Sequence, residues 1–438
     1  MSTSNYRTVI SLSLLAILLL PMAAFIAFAI HFSLNIPLYD DITQILWITN
    51  TFLEGSTSPG TPDHIYPVDN RLHALFYPNA GHIPMVTRVI GLLLYYLTGN
   101  LNFATATVLA CLFWVATVLL LLYQAHKDGL SLFMLIPIPF LLFSLIQWEA
   151  MTMMLGGVQM YVGTLFFPIV TFYALTKNRV FSAATGFFLG LFASGGALAV
   201  FPIGVAYLLL QRRWLHSLIF FVLCGLSTKL FMHLNIFLSG AGFAAALSTN
   251  LPNKIDMALQ FMGNIFTDGN YGSDELVSPR FYTGIVLSLI SLAVFLGCPG
   301  QHLFKLSLMF VFALAGMTAL NRANIAPRYS VFSLLAISCI YVLMINWLRP
   351  RLPQVATILA TLATTASIWL WVEHYAPSVK LTDQYHTMRI EDMQNFLNSG
   401  NAQRLLWDPA WCIDIFTESK RLGVFDYTQS IPETSPAR

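Results

Sequence analysis

The chain of 438 residues is 57% hydrophobic, 14% aromatic and only 10% charged, with a mean hydropathy of +0.69. This composition excludes a soluble domain, and continuous apolar stretches in place of alternating ones exclude a β-barrel, leaving an all-α polytopic membrane protein. The net charge of +2 names no partner, and nucleic acid is not expected as one, since no basic cluster exceeds Arg212-Arg213.

A transmembrane helix needs about 20 apolar residues. By that measure spans are expected at residues 8–31, 103–124, 130–147, 160–176, 215–238, 281–298, 303–320, 329–348 and 353–372. The first run is long for a signal-peptide core and no small-x-small site follows it, so it reads as an uncleaved span. Residues 181–210 are apolar but broken by Ser194-Gly195-Gly196 and Pro202, which predicts a broken helical hairpin dipping in and out. The expected architecture is therefore about nine full spans plus the hairpin, about eleven membrane segments in all.

Arg7, Lys127, Lys177, Arg179, Arg212, Arg213, Lys305, Arg349 and Arg351 fall on one side of this arrangement, which the positive-inside rule assigns to the cytoplasm. Among the acids only Asp128 joins them. The polar segments then lie outside. Residues 32–102 form a long first loop, ending in a short apolar stretch (84–97) that suits the interface; residues 239–280 form a second. The chain divides into a membrane domain over residues 1–372 and a small C-terminal tail over 373–438, too short for a large core of its own. Four of the five cysteines lie in or beside apolar segments, so no disulfide framework is expected.

Four polar constellations sit on the outer side. Asp40 and Asp41 follow the first span directly. A carboxylate there can take a proton from a hydroxyl or hold a divalent cation such as magnesium or manganese, or it can simply cap a helix beginning near Ile42. The second runs Pro78-Asn79-Ala80-Gly81-His82-Ile83-Pro84 to Arg88, where histidine is an acid-base group and Arg88 suits either phosphate or lipid headgroups. The third is Gln147-Trp148-Glu149 with Gln159, where Glu149 is either functional or the counter-charge of an arginine. The fourth is Asn321-Arg322 with Pro327-Arg328-Tyr329. Two guanidinium groups so close suit a phosphate between them, or an ion pair with Glu149 or the aspartates. Arg280 could join either arrangement. Lys229, with His233 a turn on, stands within a span and carries a weaker signal.

In this order these residues resemble bacterial inner-membrane glycosyltransferases of the GT-C superfamily. The resemblance rests on the acidic pair, Asn79…His82-Ile83-Pro84…Arg88, Ser144…Gln147-Trp148-Glu149…Gly157…Gln159, Ser194-Gly195-Gly196…Pro202 and Asn321-Arg322…Arg328-Tyr329, covering most of residues 30–335. One departure stands out: related proteins carry Asn-x-His-Arg before Ile, where this chain has Asn79-Ala80-Gly81-His82. The resemblance implies transfer of a sugar from a polyprenyl-phosphate donor to a surface glycan or lipid such as lipopolysaccharide or O-antigen, at the periplasmic face of the inner membrane and with inversion. It implies that Asp40 or Asp41 is the general base and the other acid binds metal or acceptor. Arg322, Arg328 and Arg88 would hold the donor phosphate, with His82, Gln147, Glu149, Gln159, Asn321 and Tyr329 shaping the site. Three other readings remain open: a transporter or flippase of lipid-linked sugars, which would want polar groups spread through its spans, a glycan ligase or polymerase, which would share the arginines without needing the acid pair, and a non-catalytic scaffold that has kept the fold.

Overall fold

The computed structural model describes residues 3–56, 61–62, 68, 70–79, 82–239, 251–265, 279–321 and 325–429. Among these the chain is helical, with no strand beyond a single bridge between Asn79 and His82. Among the described residues eight helices are long and apolar enough to cross a membrane. They include α1 (Thr3–Phe32), α5 (Phe103–Lys127), α12 (Trp214–Ser239), α14 (Pro279–Gly297), α15 (His302–Asn321), α16 (Ser330–Leu348) and α17 (Pro353–Ser399). The eighth is composite: α8 (Met154–Gly157), a π-helical stretch (Val158–Phe166) and α9 (Phe167–Thr176). Aromatic side chains fill the bundle core, among them Phe25, Trp114, Phe143, Tyr161, Phe172 and Phe187.

The stretch expected to span at 130–147 is not one straight helix. α6 (Leu132–Leu135) and α7 (Pro137–Leu142) meet a 3-10 segment (Leu145–Met151) at a bend of 55°. The bend leaves carbonyls without helical partners in an apolar bundle, and side chains supply the donors. Trp114 Nε1 and Gln147 Nε2 both donate to the Leu142 carbonyl, at 3.0 and 2.8 Å. Gln147 also donates to Ser144, and Trp371 Nε1 to Phe143. Irregular backbone survives at this depth because protein groups satisfy it.

Residues 181–210 form two short helices, α10 (Val180–Leu191) and α11 (Val200–Leu210), with a 3-10 turn (Gly195–Ala199) at their apex. The apex packs against the π-helical stretch at Gly163, where an added Cβ would lie 2.8 Å from that of Ala193. At one end of the bundle the basic turns gather. Arg349 donates to the Gly129 carbonyl, Lys177 to Gln124 Oε1 and Gln124 to Asp128, which feels the charges of Lys177 and His302.

At the opposite end lies a second apolar core. It joins the first long loop, with α2 (Trp47–Glu54), α3 (Arg71–Phe76) and α4 (Met85–Thr98), to the C-terminal region. The tail does not begin where the membrane span ends. α17 continues unbroken through Pro377 for 47 residues, roughly 70 Å, and carries the chain straight from bundle to cap. Met393, Leu405, Trp411, Phe416 and Val424 then pack with Ile36, Ile45, Trp47 and Phe103. Asn50, fully buried in α2, donates to Ile415 O at 3.1 Å and Ser419 Oγ at 2.8 Å on α18 (Pro409–Arg421). The tail thus lacks a large core of its own and shares one with the first loop.

Candidate active site

The acid pair is split by the turn that carries it. Tyr39 adopts a left-handed backbone, φ +43°, and its carbonyl accepts the N–H groups of Ile42 and Thr43. Asp41 opens the π-helical turn Asp41–Leu46 and is wholly buried, while Asp40 is exposed. Single π-helical turns recur at functional sites. Asp40 stands at the N-cap position but makes no capping hydrogen bond there. Asp41 Oδ1 instead accepts the Leu155 N–H at 2.8 Å, from a segment 114 residues away. Its Oδ2 is buried with no hydrogen-bond partner among the described residues. Burial pushes the Asp41 carboxyl up to about 6, with Asp40 adding to the rise, against the Leu155 N–H and the Arg389 guanidinium, which pull it down.

Arg389 comes from the cap half of α17 and is 1% exposed. It donates to the Thr152 carbonyl at 2.6 Å and to the Ile36 carbonyl, clamping the two segments that bring Asp41 and Leu155 together. Its guanidinium lies 5.7 Å from the Tyr385 ring one turn earlier. The Tyr385 hydroxyl is held above its ordinary range by burial, and it feels Arg389, Asp41, Glu149 and Tyr39. Tyr385 also packs against Trp148, ring centroids 5.6 Å apart. Further down the same helix, His374 Nδ1 shares a 2.8 Å hydrogen bond with Ser144 Oγ at the bend.

On the other flank of Tyr385, Glu149 and Arg328 form an ion pair, the side chains 14% and 28% exposed. Arg328 also lies 5.3 Å from the ring of Tyr329, which packs on Phe261. The Asn264 amide holds this loop by donating to Ala326 O at 3.2 Å. Arg322 and the Asn321 side chain lie outside the described residues. Glu149 therefore has the guanidinium partner that the sequence allowed as its alternative role, and Gln147 serves the bend, its Oε1 accepting from the Tyr161 hydroxyl.

Arg88 is turned inward to protein oxygens. It is wholly buried and donates to Gln44 O, Leu75 O, Tyr77 O and Gln44 Oε1, at 2.6 to 3.2 Å. Four protein oxygens around one guanidinium make it an internal strut of the first loop. His82 reaches the hairpin apex, where its Nδ1 accepts the Gly195 N–H at 3.0 Å. That bond fixes a neutral ring with the proton on Nε2. Nearby, Thr164 Oγ1 lies 2.9 Å from Ser194 Oγ and 2.8 Å from the Gln159 carbonyl, and Gln159 Nε2 is buried without a partner among the described residues.

The structure thus brings Asp41, Arg389 and Glu149 near Tyr385, pairs Glu149 with Arg328, and places His82 and Gln159 in a second polar group at the hairpin apex. Sequence reading misses Tyr385, Arg389 and His374, all in the tail. Their signal is a polar stripe at helical spacing, His374, Ser378, Thr382, Tyr385 and Arg389, continuing the phase of the last span. A divalent cation here would find Asp41 Oδ2 and would draw its remaining oxygens from water or a bound phosphate. Among the described residues no group of three His, Cys, Asp or Glu side chains is arranged to hold a metal. Comparison with protein-family models, curated proteins and solved structures returns no significant match.

Proposed function

We propose that the chain is a membrane glycosyltransferase that takes a sugar from a polyprenyl-phosphate donor and passes it to a surface glycan or lipid acceptor. The observation that carries this reading is Asp41, a buried carboxylate with one oxygen fixed by a backbone N–H and the other without a hydrogen-bond partner among the described residues, beside the Arg389 guanidinium at the boundary of bundle and cap. The GT-C resemblance supplies the substrate class, the bacterial inner membrane and its periplasmic face; the apolar helices supply the lipid contact.

Asp41 Oδ2 takes the proton of the acceptor hydroxyl as that oxygen attacks the anomeric carbon. The bond from that carbon to the phosphate oxygen breaks, both electrons leave with the prenyl phosphate, and the configuration inverts. Arg328, and Arg322 beyond the described residues, meet the charge on the departing phosphate, with Glu149 keeping Arg328 in place until it arrives. No step calls on a metal ion.

Asp41→Asn keeps an oxygen for the Leu155 N–H and loses the base. In nanodiscs with radiolabelled short-chain polyprenyl-phosphate sugars, its transfer rate should fall about 100-fold or more. The wild-type rate should climb as pH rises through about 6, where the Asp41 carboxyl becomes ionised. Full activity in the variant sinks the proposal, and movement of the lipid across the bilayer with no new glycosidic product identifies a transporter instead.

A further inference from the structure

Tyr39 combines two features that folding alone does not require together. Its backbone is left-handed, a conformation that strains any residue except glycine and is tolerated by asparagine. Four hydrogen bonds hold it there: its N–H donates to Leu405 O at 3.1 Å, and its carbonyl accepts from Ile42 N, Thr43 N and Thr43 Oγ1. A glycine would make the same turn with less strain. The tyrosine ring is not retained for packing either, since the residue is 49% exposed.

The exposed tyrosine precedes the buried Asp41 by two residues. It lies within reach of Tyr385, which also neighbours Asp41 and Glu149. Next to it is Asp40, exposed. Two residues beyond the carbonyl that holds Tyr39 lies Trp407, 59% exposed. Trp407 packs edge-on to Trp411 at 5.6 Å, and Trp411 in turn packs on the buried Trp47, also at 5.6 Å. An indole on this aromatic ladder is rigidly based while more than half of its surface is exposed.

Exposed aromatic faces beside a carboxylate are the chemistry that recognises a sugar ring: C–H groups stack on the ring, and hydroxyls donate to the acid. We propose that Tyr39 and Trp407, with Asp40 between them in function, form the acceptor subsite, and that its ligand is a carbohydrate. This deepens the proposed function and rests on it for the word acceptor. Strain held by several bonds at a functional site is the circumstance in which an outlying backbone angle is informative.

The test is direct binding. Wild-type protein in nanodiscs is titrated into a panel of fluorescently labelled, lipid-free bacterial surface oligosaccharides, read by anisotropy. Binding of at least one member is expected. Tyr39→Gly and Trp407→Ala should each weaken it about ten-fold, equivalent to about 1.4 kcal/mol. Tyr39→Gly should melt no lower than wild type, and Tyr39→Trp should restore affinity. Absence of binding by the wild type, or equal binding by Tyr39→Gly, overturns the subsite. Sugar transfer by the wild type is scored separately. Transfer with Tyr39-indifferent binding ends the subsite alone, and Tyr39-dependent binding without transfer from any donor ends the transferase reading alone.

Discussion

Ionising Asp41 in a fully buried position costs free energy that the rest of the fold must offset. Its folded carboxyl, at about 6, lies above the ordinary value of 3.8. A raised carboxylate favours the folded state below the ordinary value, and the benefit is lost as pH climbs through the folded one. A rise of about two pH units corresponds to about 3 kcal/mol. Asp41→Asn should accordingly unfold at higher temperature than wild type at pH 7.5, and the difference should close below pH 4; thermal unfolding in detergent at both pH values checks this. The pair Asp40-Asp41 is conspicuous in the sequence because charge is so scarce around it. Which acid turns inward is not legible, since that depends on the left-handed turn at Tyr39, a residue type with no preference for it. Arg88 shows the same limit: an arginine in an apolar helix advertises a need for oxygen partners without saying whether carbonyls or a phosphate provide them.

Among the elements, α17 does most to position the site. Arg389 reaches two carbonyls with one planar fork, at Ile36 and Thr152. Lysine at this position offers a point charge and no fork. Arg389→Lys should leave a buried carbonyl unpaired at a cost of about 1 to 3 kcal/mol. Hydrogen exchange should quicken at residues 36–42 and 152–156, with little change in α5 or α16; uniform exchange across the chain would show that the clamp is unimportant. Charge appearing at Glu373 marks the end of the apolar surface and hides the continuity of the helix. Pro377 reinforces the error, because proline reads as a breaker, yet here the helix passes through it. The hairpin at 181–210 is legible for the opposite reason, since Ser194-Gly195-Gly196 declares its break in composition. The bend at Phe143 is disguised by continuous apolar sequence, and Gln147 gains its meaning only once the orphaned carbonyls of Leu142 and Ser144 are seen.

For the molecule as a whole, apolar runs suffice to reveal a helical membrane bundle, because crossing a bilayer demands length and hydropathy in one continuous stretch. They do not reveal the cap, whose core pairs residues near 36–103 with residues near 393–425. No local pattern encodes contacts of that separation. The Asn50–Ser419 link spans 369 residues. A protease site placed at Gly400, a left-handed turn that ends α17, should therefore permit cleavage without release. The fragment beyond it should copurify with the bundle until denaturant is added, whereas Asn50→Leu, which removes both donors and acceptor, should let it dissociate. Retention in both proteins would show that apolar packing alone suffices.

Arg389 follows Ile36 by 353 residues, and this separation has a consequence for biogenesis. Asp41 leaves the ribosome long before the helix that secures it has been synthesised. Until then Ile36 and Thr152 lack the guanidinium that joins them in the folded chain. A chain stalled before that point holds both aspartates yet lacks the Arg389 clamp and the C-terminal half of the shared apolar core.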